Sequence, residues 1–454
     1  MQTVQTEFCG GGGQLAHTGG ACYNNRRRIR KGGGGVARTR WYKMDSAGIL
    51  YSALQKENYS ATYRFSAVMA ESVDPEALQR AVDRTMPRYP IFGMRIRRGA
   101  FWHYFEPNDA PGPFVREDVS DPCQPFRFRE DGRWLVRFYY YRRRISIEVF
   151  HAISDGAGAL TFFRALLGEY LRQRGVEIPG GEELTKKPDP EEMEDAYARY
   201  AGPRALGLHK MPRAFSNIGT PEPFYTFHVT MGFLPLPELK AKAAEYGASI
   251  TEYLAAVLIC VLLDKQARER PYRRRPVALA VPINLRGFFP SKTLRNFITT
   301  VRPAVDPNLG EYTFEEIVSQ VRHFMKLHIN RQELRAAFTG NVRFTQSLAL
   351  QLIPIFLKTP VMSLSYRMHA VTPYSCTFTN PGAFSVPDEM RPHIARMEVI
   401  LGQAIVPRSH CAAISYGETM EITFAGTQAE TDTERDFFRF LVRQGIPVHV
   451  ESNR

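Results

Sequence analysis

The residues best suited to chemistry in this sequence stand in "SIEVFHAISDGAGALTFF", residues 146–163, where His151, Asp155 and Gly156 follow the order H-x-x-x-D-G. A neutral imidazole, with an ordinary pKa near 6.5, can take a proton from an alcohol or amine while that group attacks a carbonyl. Plainer readings stand beside this one. His151 can be a half-buried histidine satisfying a local backbone group, and Asp155 can be the N-cap of the helix that follows. Metal ligation by a histidine and an aspartate at i and i+4 requires both on a helix. The glycines and the preceding apolar run make this segment a loop, so no metal is expected.

Such a histidine needs rigid elements to hold it. "RWLVRFYYY" and "RRISIEVFH" alternate charged and apolar residues as strands do, and the second delivers His151 to a sheet edge. From Gly156 the apolar period changes to 3.6, with Leu160, Phe163, Leu166, Leu167, Tyr170 and Leu171 on one face. Basic residues and Gly175 close that helix. Upstream, "YSATYRFSAVMAE" reads as a strand, and "VDPEALQRAVDRTMPRYP" as a helix with Asp74 as N-cap, Pro75 at its first position and Pro90 as its stop. "GMRIRRGAFWHYFEP" predicts two strands turning at Gly99. Residues 176–222, rich in Pro, Gly and mixed charge, read as an exposed crossover. Beyond them a strand is predicted at "FYTFHVTMGFLP", and helices at "PLPELKAKAAEYG" and "SITEYLAAVLICVLLDKQ". The second of these opens on a capping box from Ser249 to Glu252. Strands follow at "PVALAVPINLR", "SCTFTN", "CAAISYG" and "MEITFAG", then a helix at "ETDTERDFFRFLVRQG".

The 454 residues suffice for two domains of about 200 residues each. Apolar residues at 44% and charged residues at 23% exclude the disordered and fibrous classes for the body of the chain. The longest apolar runs fall short of the roughly 20 residues that cross a bilayer, so no membrane span is expected. The opening residues lack a secretory pattern, and the six cysteines show no C-x-x-C or metal-ligand spacing. Free thiols and a cytoplasmic address are the expectation. Residues 1–40 hold seven Lys or Arg against one Glu, so about +7 of the formal +13 belongs to residues 41–454. The Gly- and Arg-rich stretch 1–40 reads as a disordered tail rather than a nucleic-acid arm. The remaining excess suits a polyanionic small molecule such as a coenzyme A thioester, and suits solubility equally.

"FHAISDG", after a strand and before an amphipathic helix, resembles the active-site motif of the chloramphenicol acetyltransferase-like superfamily. That superfamily includes peptide-synthetase condensation domains, wax ester synthase/diacylglycerol acyltransferases, plant BAHD acyltransferases and alcohol acetyltransferases. "VPINLRGFFPSKTLRNFITT" (281–300) resembles its proline–asparagine–arginine strand and following asparagine segment, and "TFTNPGAF" (377–384) resembles its later N-x-x-G element. The resemblance spans roughly residues 41–454 and is nearest to bacterial stand-alone alcohol acetyltransferase-like proteins.

The resemblance implies an α/β (α+β) fold of two lobes, each a mixed sheet with flanking helices, with a tunnel between them. The lobes would occupy residues 41–175 and 223–454, with 176–222 as the interlobe crossover. It makes His151 the general base, and Asp155 a structural residue paired with Arg286. Gly156 would give clearance for the donor. Asn380 would orient substrate or stabilise an oxyanion, with Thr377 and Thr379 as further candidates. The implied activity is O-acyl transfer from acyl-CoA, as co-substrate, to a small alcohol or amine, with no permanently bound cofactor and no nucleic-acid partner. A carrier-protein-bound donor and a non-catalytic binding relative are the alternatives. Phe150 stands where many condensation domains carry a first histidine, and the plant enzymes' "DFGWG" segment is absent.

Overall fold

A computed structural model describes residues 41–54, 60–203, 212–223, 226–269, 274–347, 350, 352–358, 373–403 and 409–454. The expected tail, 1–40, lies outside the described residues. The first elements are β1 (Tyr42–Lys43), α1 (Ser46–Leu54), β2 (Thr62–Met69), α2 (Pro75–Thr85), β3 (Met94–Arg98) and β4 (His103–Pro107). Next come β5 (Val115–Glu117), β6 (Val136–Tyr141), β7 (Arg144–Phe150), α3 (Gly156–Gln173) and α4 (Ala196–Tyr200). They are followed by β8 (His228–Pro235), α5 (Leu236–Glu245), α6 (Ile250–Arg268), β9 (Val277–Asn284), β10 (Ile298–Val301), β11 (Ala304–Val305), α7 (Phe314–His328) and α8 (Arg331–Gln346). The last are β12 (Cys376–Thr379), β13 (Ile394–Leu401), β14 (Ser409–Tyr416), β15 (Thr419–Gly426), α9 (Asp432–Arg443) and β16 (His449–Ser452).

Two mixed sheets carry the fold. The first runs β13-β2-β7-β6-β5, antiparallel except where β5 meets β6. The second runs β10-β9-β12-β14-β15-β8-β16, with β12 parallel to both β9 and β14. A small sheet, β1-β4-β3, stands beside them. Helices α2 and α3 seal one face of the first sheet: Leu78, Val82, Phe162 and Leu166 are buried with Ile145, Ile147 and Val149 of β7. Under the second sheet lies α6, apolar on nearly every side because α5, α7 and α9 also pack on it. Among the described residues, no single helix is long and apolar enough to cross a membrane.

One strand crosses the expected division of the chain. Ile394–Leu401 pairs antiparallel with β2, from Ile394 opposite Met69 to Leu401 opposite Tyr63. The half expected to build the second lobe therefore supplies an edge strand to the first sheet. The sequence reading has no strand there, and it also has no helices at α7 and α8. The crossover region 176–222 carries a short helix of its own, α4, which packs Tyr197 against Phe297 and Phe338.

Period-2 alternation in β7 predicts one buried and one exposed face. Both are buried, because Glu148 on the polar face is enclosed by a network. Its Oε1 accepts from Arg64 Nε at 3.0 Å and Nη2 at 2.7 Å and from the Cys123 amide at 2.5 Å. Its Oε2 accepts from Arg137 Nη1 at 3.3 Å, while Arg64 and Arg137 also reach Asp118 and Asp131. Removing one member of a buried charge cluster leaves the rest uncompensated, at a cost of about 3–5 kcal/mol. Glu148→Ala is expected to lose about that much in a urea titration, with Arg97→Ala, on an exposed arginine, as the near-neutral control.

Candidate active site

β7 ends at Phe150, and the His151 amide still reaches back to Ala61 O at 2.7 Å, so the strand delivers this residue in a fixed direction. A tight turn follows, and α3 begins at Gly156. His151 therefore precedes the helix, and the i, i+4 metal geometry does not arise. Its half-buried ring lies between two tyrosines. Tyr51 of α1 stacks on it with centroids 4.2 Å apart and planes 21° off parallel. Tyr63 of β2 meets it edge-on at 5.0 Å and donates its hydroxyl to Ser154 O at 3.0 Å.

The third neighbour is Asn296. Its Nδ2 donates to the main-chain oxygens of His151 (2.9 Å) and Ala152 (3.4 Å), which turns Oδ1 toward the ring, 3.0 Å from His151 Nδ1. An amide oxygen only accepts, so Nδ1 carries the proton and the lone pair resides on Nε2. Burial pushes the His151 pKa below its ordinary 6.5, against opposing pulls from its own backbone, Asp155 and Asn296. The ring is thus neutral at pH 7.

Asp155 combines both roles weighed for it. One oxygen caps α3 by accepting from the Gly158 amide at 3.0 Å. The other accepts from Arg286 Nη1 at 2.8 Å and from the Phe297 amide at 2.7 Å. Arg286 in turn gathers the segment after β9. Its Nε and Nη2 donate to Thr293 O (3.0 and 2.9 Å), Nη2 also to Arg295 O (2.7 Å), and Nη1 to Asn284 Oδ1 (3.1 Å). This wrapping carries Asn296 to His151. A second buried pair adds to it, with Arg295 Nη2 3.1 Å from Asp45 Oδ2. Asp45 Oδ1 accepts from the Gly48 amide at 2.7 Å, fixing the start of α1 and with it Tyr51. Desolvation raises Asp45 to a pKa of about 6, despite Arg295.

The structure brings together His151, Asp155 and Arg286. No hydrogen bond among the described residues joins Asn380 to them. Asn380 Nδ2 donates to Thr251 Oγ1 at 3.1 Å, at the start of α6, and its Oδ1 accepts from the Gly382 amide at 2.9 Å. Thr377 and Thr379 are half-buried on one face of β12, opposite the buried Cys376 and Phe378. Gly156 has room around it, for an added Cβ would meet Phe65 Cζ at an ordinary 3.6 Å. The tight glycine is Gly158, where a Cβ would lie 2.2 Å from Leu294 O and 2.4 Å from Ser154 Oγ. Sequence reasoning missed Asn296, Tyr51, Tyr63, Asp45 and Arg295. For Asn296 the signal was its place in the 281–300 segment; for Tyr51 there was none.

No family model and no curated protein matches the sequence. Solved structures do match. Polyketide synthase associated protein 5 from Mycobacterium tuberculosis superposes with a TM-score of 0.61 at 14% identity, over 88% of this chain and 96% of that one. The TRI3 trichothecene 15-O-acetyltransferase from Fusarium sporotrichioides gives 0.56 at 9% identity, over 89% and 94%. The starter condensation domain of rhizomide synthetase RzmA, in complex with C8-CoA and Leu-SNAC, gives 0.56 at 11% identity, over 89% and 94%. Condensation domains and this acetyltransferase belong to the chloramphenicol acetyltransferase-like superfamily, and the chain shares their two-lobed fold.

The two glycines are expected to separate in a stability measurement. Gly158→Ala forces the turn away from Leu294 and costs about 1–3 kcal/mol by overpacking. Gly156→Ala, at the first position of a helix with open space around it, stays within about 0.5 kcal/mol of the parent. Thermal unfolding of both variants checks this, and equal losses would contradict it.

Proposed function

We propose that this chain is an acyltransferase that moves an acyl group from a thioester to an alcohol or amine, with His151 Nε2 as the general base. The observation that carries the reading is the Asn296 clamp, whose Oδ1 accepts from Nδ1–H and so leaves the lone pair of a neutral ring on Nε2. The two-lobed fold shared with condensation domains and an acetyltransferase supports it.

The chemistry balances without a covalent enzyme intermediate. The acceptor's O–H or N–H proton passes to His151 Nε2 as its heteroatom forms a bond to the thioester carbonyl carbon. The tetrahedral intermediate collapses with cleavage of the C–S bond. The leaving sulfur takes the proton back from Nε2, and the imidazole returns to neutral. Tyr51 and Tyr63 hold the ring in one plane through both transfers. Of the residues carried over for the oxyanion, Asn380 gives one of its two amide N–H groups to Thr251, and the second is the donor assigned to this task. The hydroxyls of Thr377 and Thr379, half-buried on one face of β12, are further candidates for the same task. Coenzyme A is proposed as the donor's thiol. A carrier-protein thioester is the alternative for the same chemistry.

Thiol release from acetyl- and longer acyl-CoAs, with a panel of alcohols and amines, tests this. His151→Ala is expected to lower acceptor-dependent kcat by about 10²–10⁴-fold with the fold intact. Acceptor-dependent release that survives the substitution would refute His151 as the base. Release from no free thioester would move the donor to a carrier protein.

The pH profile follows from the sign of the shift. Because burial lowers the His151 pKa, the base form persists below pH 6.5. The acid limb of kcat/KM is therefore expected to have its midpoint under 6.5 and a plateau above it. Asn296→Asp keeps an acceptor at Nδ1 but adds a negative charge, so the midpoint moves up. Asn296→Ala removes the lock on the tautomer and is expected to lower kcat more than it changes KM.

A further inference from the structure

A recess away from the site lies between α9 and the edge strand β16, a trough of about 690 Å³. Gly232 of β8 creates it. A Cβ there would lie 2.2 Å from Phe438 Cε1, so the missing side chain lets the phenyl ring sink onto the sheet. Val450, paired with Gly232 in register, and Val448 continue the apolar floor. Val442, one turn beyond Phe438, completes it. The floor is open to solvent, with Val442 53% and Val450 46% exposed.

One wall is charged. Arg435, Arg439 and Arg443 stand at i, i+4 and i+8 along α9, a row about 12 Å long at 1.5 Å per residue. Arg435 is paired with Asp436, whereas Arg439 and Arg443 have no ion-pair partner among the described residues. Arg454 also lines the trough, tied to the carbonyls of Ala429 and Gln428. The one acidic residue in the lining is Glu434, buried and 3.9 Å from Arg454.

We propose that this trough docks an acidic amphipathic helix of a partner protein. An apolar stripe would lie on Phe438, Val442 and Val450, and carboxylates spaced at i and i+4 would meet the arginine row. Three features choose this occupant. Small-ligand pockets enclose most of their ligand, and this floor is half open. Phe438, 6% exposed, lies below the half-exposed Val442 and Val450, a relief that the side chains of a helix follow and a flat anionic bilayer does not. The arginines repeat at helical spacing, so they match a linear array of negative charge rather than one head group. The surface is independent of His151 and of the reaction proposed above.

The test uses the full chain and a fluorescein-labelled 18-residue peptide, leucine on one face and glutamate flanking it at i and i+4, followed by anisotropy in low salt. Binding is expected to fall at least tenfold in Arg439→Glu/Arg443→Glu, and separately in Val442→Asp. It is also expected to fall at least tenfold when the peptide's leucines become serine. All three substituted residues are exposed, and melting curves verify that the variants fold. No binding, or binding that survives the variants, overturns the proposal; the latter would locate the peptide on another basic stretch such as Arg26–Lys31. Equal binding of the serine peptide overturns it too, as simple charge attraction. Sedimentation with phosphatidylserine vesicles that is lost in the arginine variant overturns it in favour of a membrane surface.

Discussion

Asp155 is fully buried, and the arrangement around His151 hangs on its two oxygens. An isolated carboxylate in such a place is costly, and it persists because both of its oxygens are hydrogen-bonded and one is ion-paired. One oxygen starts α3, and the other receives Arg286 and the Phe297 amide. The Arg286 guanidinium then accepts no freedom of its own, for its remaining donors fold the 284–296 segment around it. The ion pair thus acts at a distance from the ring: it sets the path of a loop whose Asn296 sets the ring. Substituting either partner would leave a charge without compensation and release Asn296 from His151.

The two sheets are bound to each other by a strand rather than by a hinge. β13 hydrogen-bonds to β2 along its length while its other contacts reach the second sheet. Its Arg396 makes a bidentate pair with Glu451 of β16, both bonds 2.8 Å, and its Val399 amide donates to Glu421 of β15 at 3.3 Å. Ile400 joins Val229, Met231 and Phe233 in an apolar cluster between the sheets. Burial, reinforced by the neighbouring Glu398, pushes the Glu421 carboxyl well above the usual carboxylate range. A site built at the junction of these sheets inherits their rigidity.

What the sequence made legible was local. The strand into His151, the cap at Asp155, the glycine-bounded α3 and the box from Ser249 to Glu252 each depend on a few neighbouring residues, and each stands in the structure. The helix α7 was legible by the same rule and passed over: Thr313 and Glu316 form a capping box ahead of an amphipathic run. The rest depended on distant contacts. Nothing local tells Ile394–Leu401 to join β2 rather than its neighbours in the chain. Tyr51 and Asn296 meet His151 from α1 and from the loop after β9, and a ring-stacking tyrosine has no spacing signature. Arg286 was reachable through a resemblance, but its carbonyl partners were not, because main-chain acceptors leave no mark on residue type. At Asn380 the turn chemistry is legible: its Oδ1 accepts from the Gly382 amide just beyond Pro381.

The choice of an amide at Nδ1 has a consequence for the proposed transfer. A carboxylate there would stabilise the imidazolium and raise the pKa, making Nε2 a stronger base but a reluctant donor. The proton must be given back to the leaving sulfur in the same turnover, so a ring that held it tightly would slow the second half of the reaction. Asn296 fixes the tautomer and the plane as a carboxylate would, yet adds no charge, and burial keeps the pKa below its ordinary value. The nearest carboxylate in the motif, Asp155, is neutralised by Arg286, which limits its pull on the ring. In the proposed transfer such a site would pass a proton through His151 rather than store one, with positioning supplying what basicity does not.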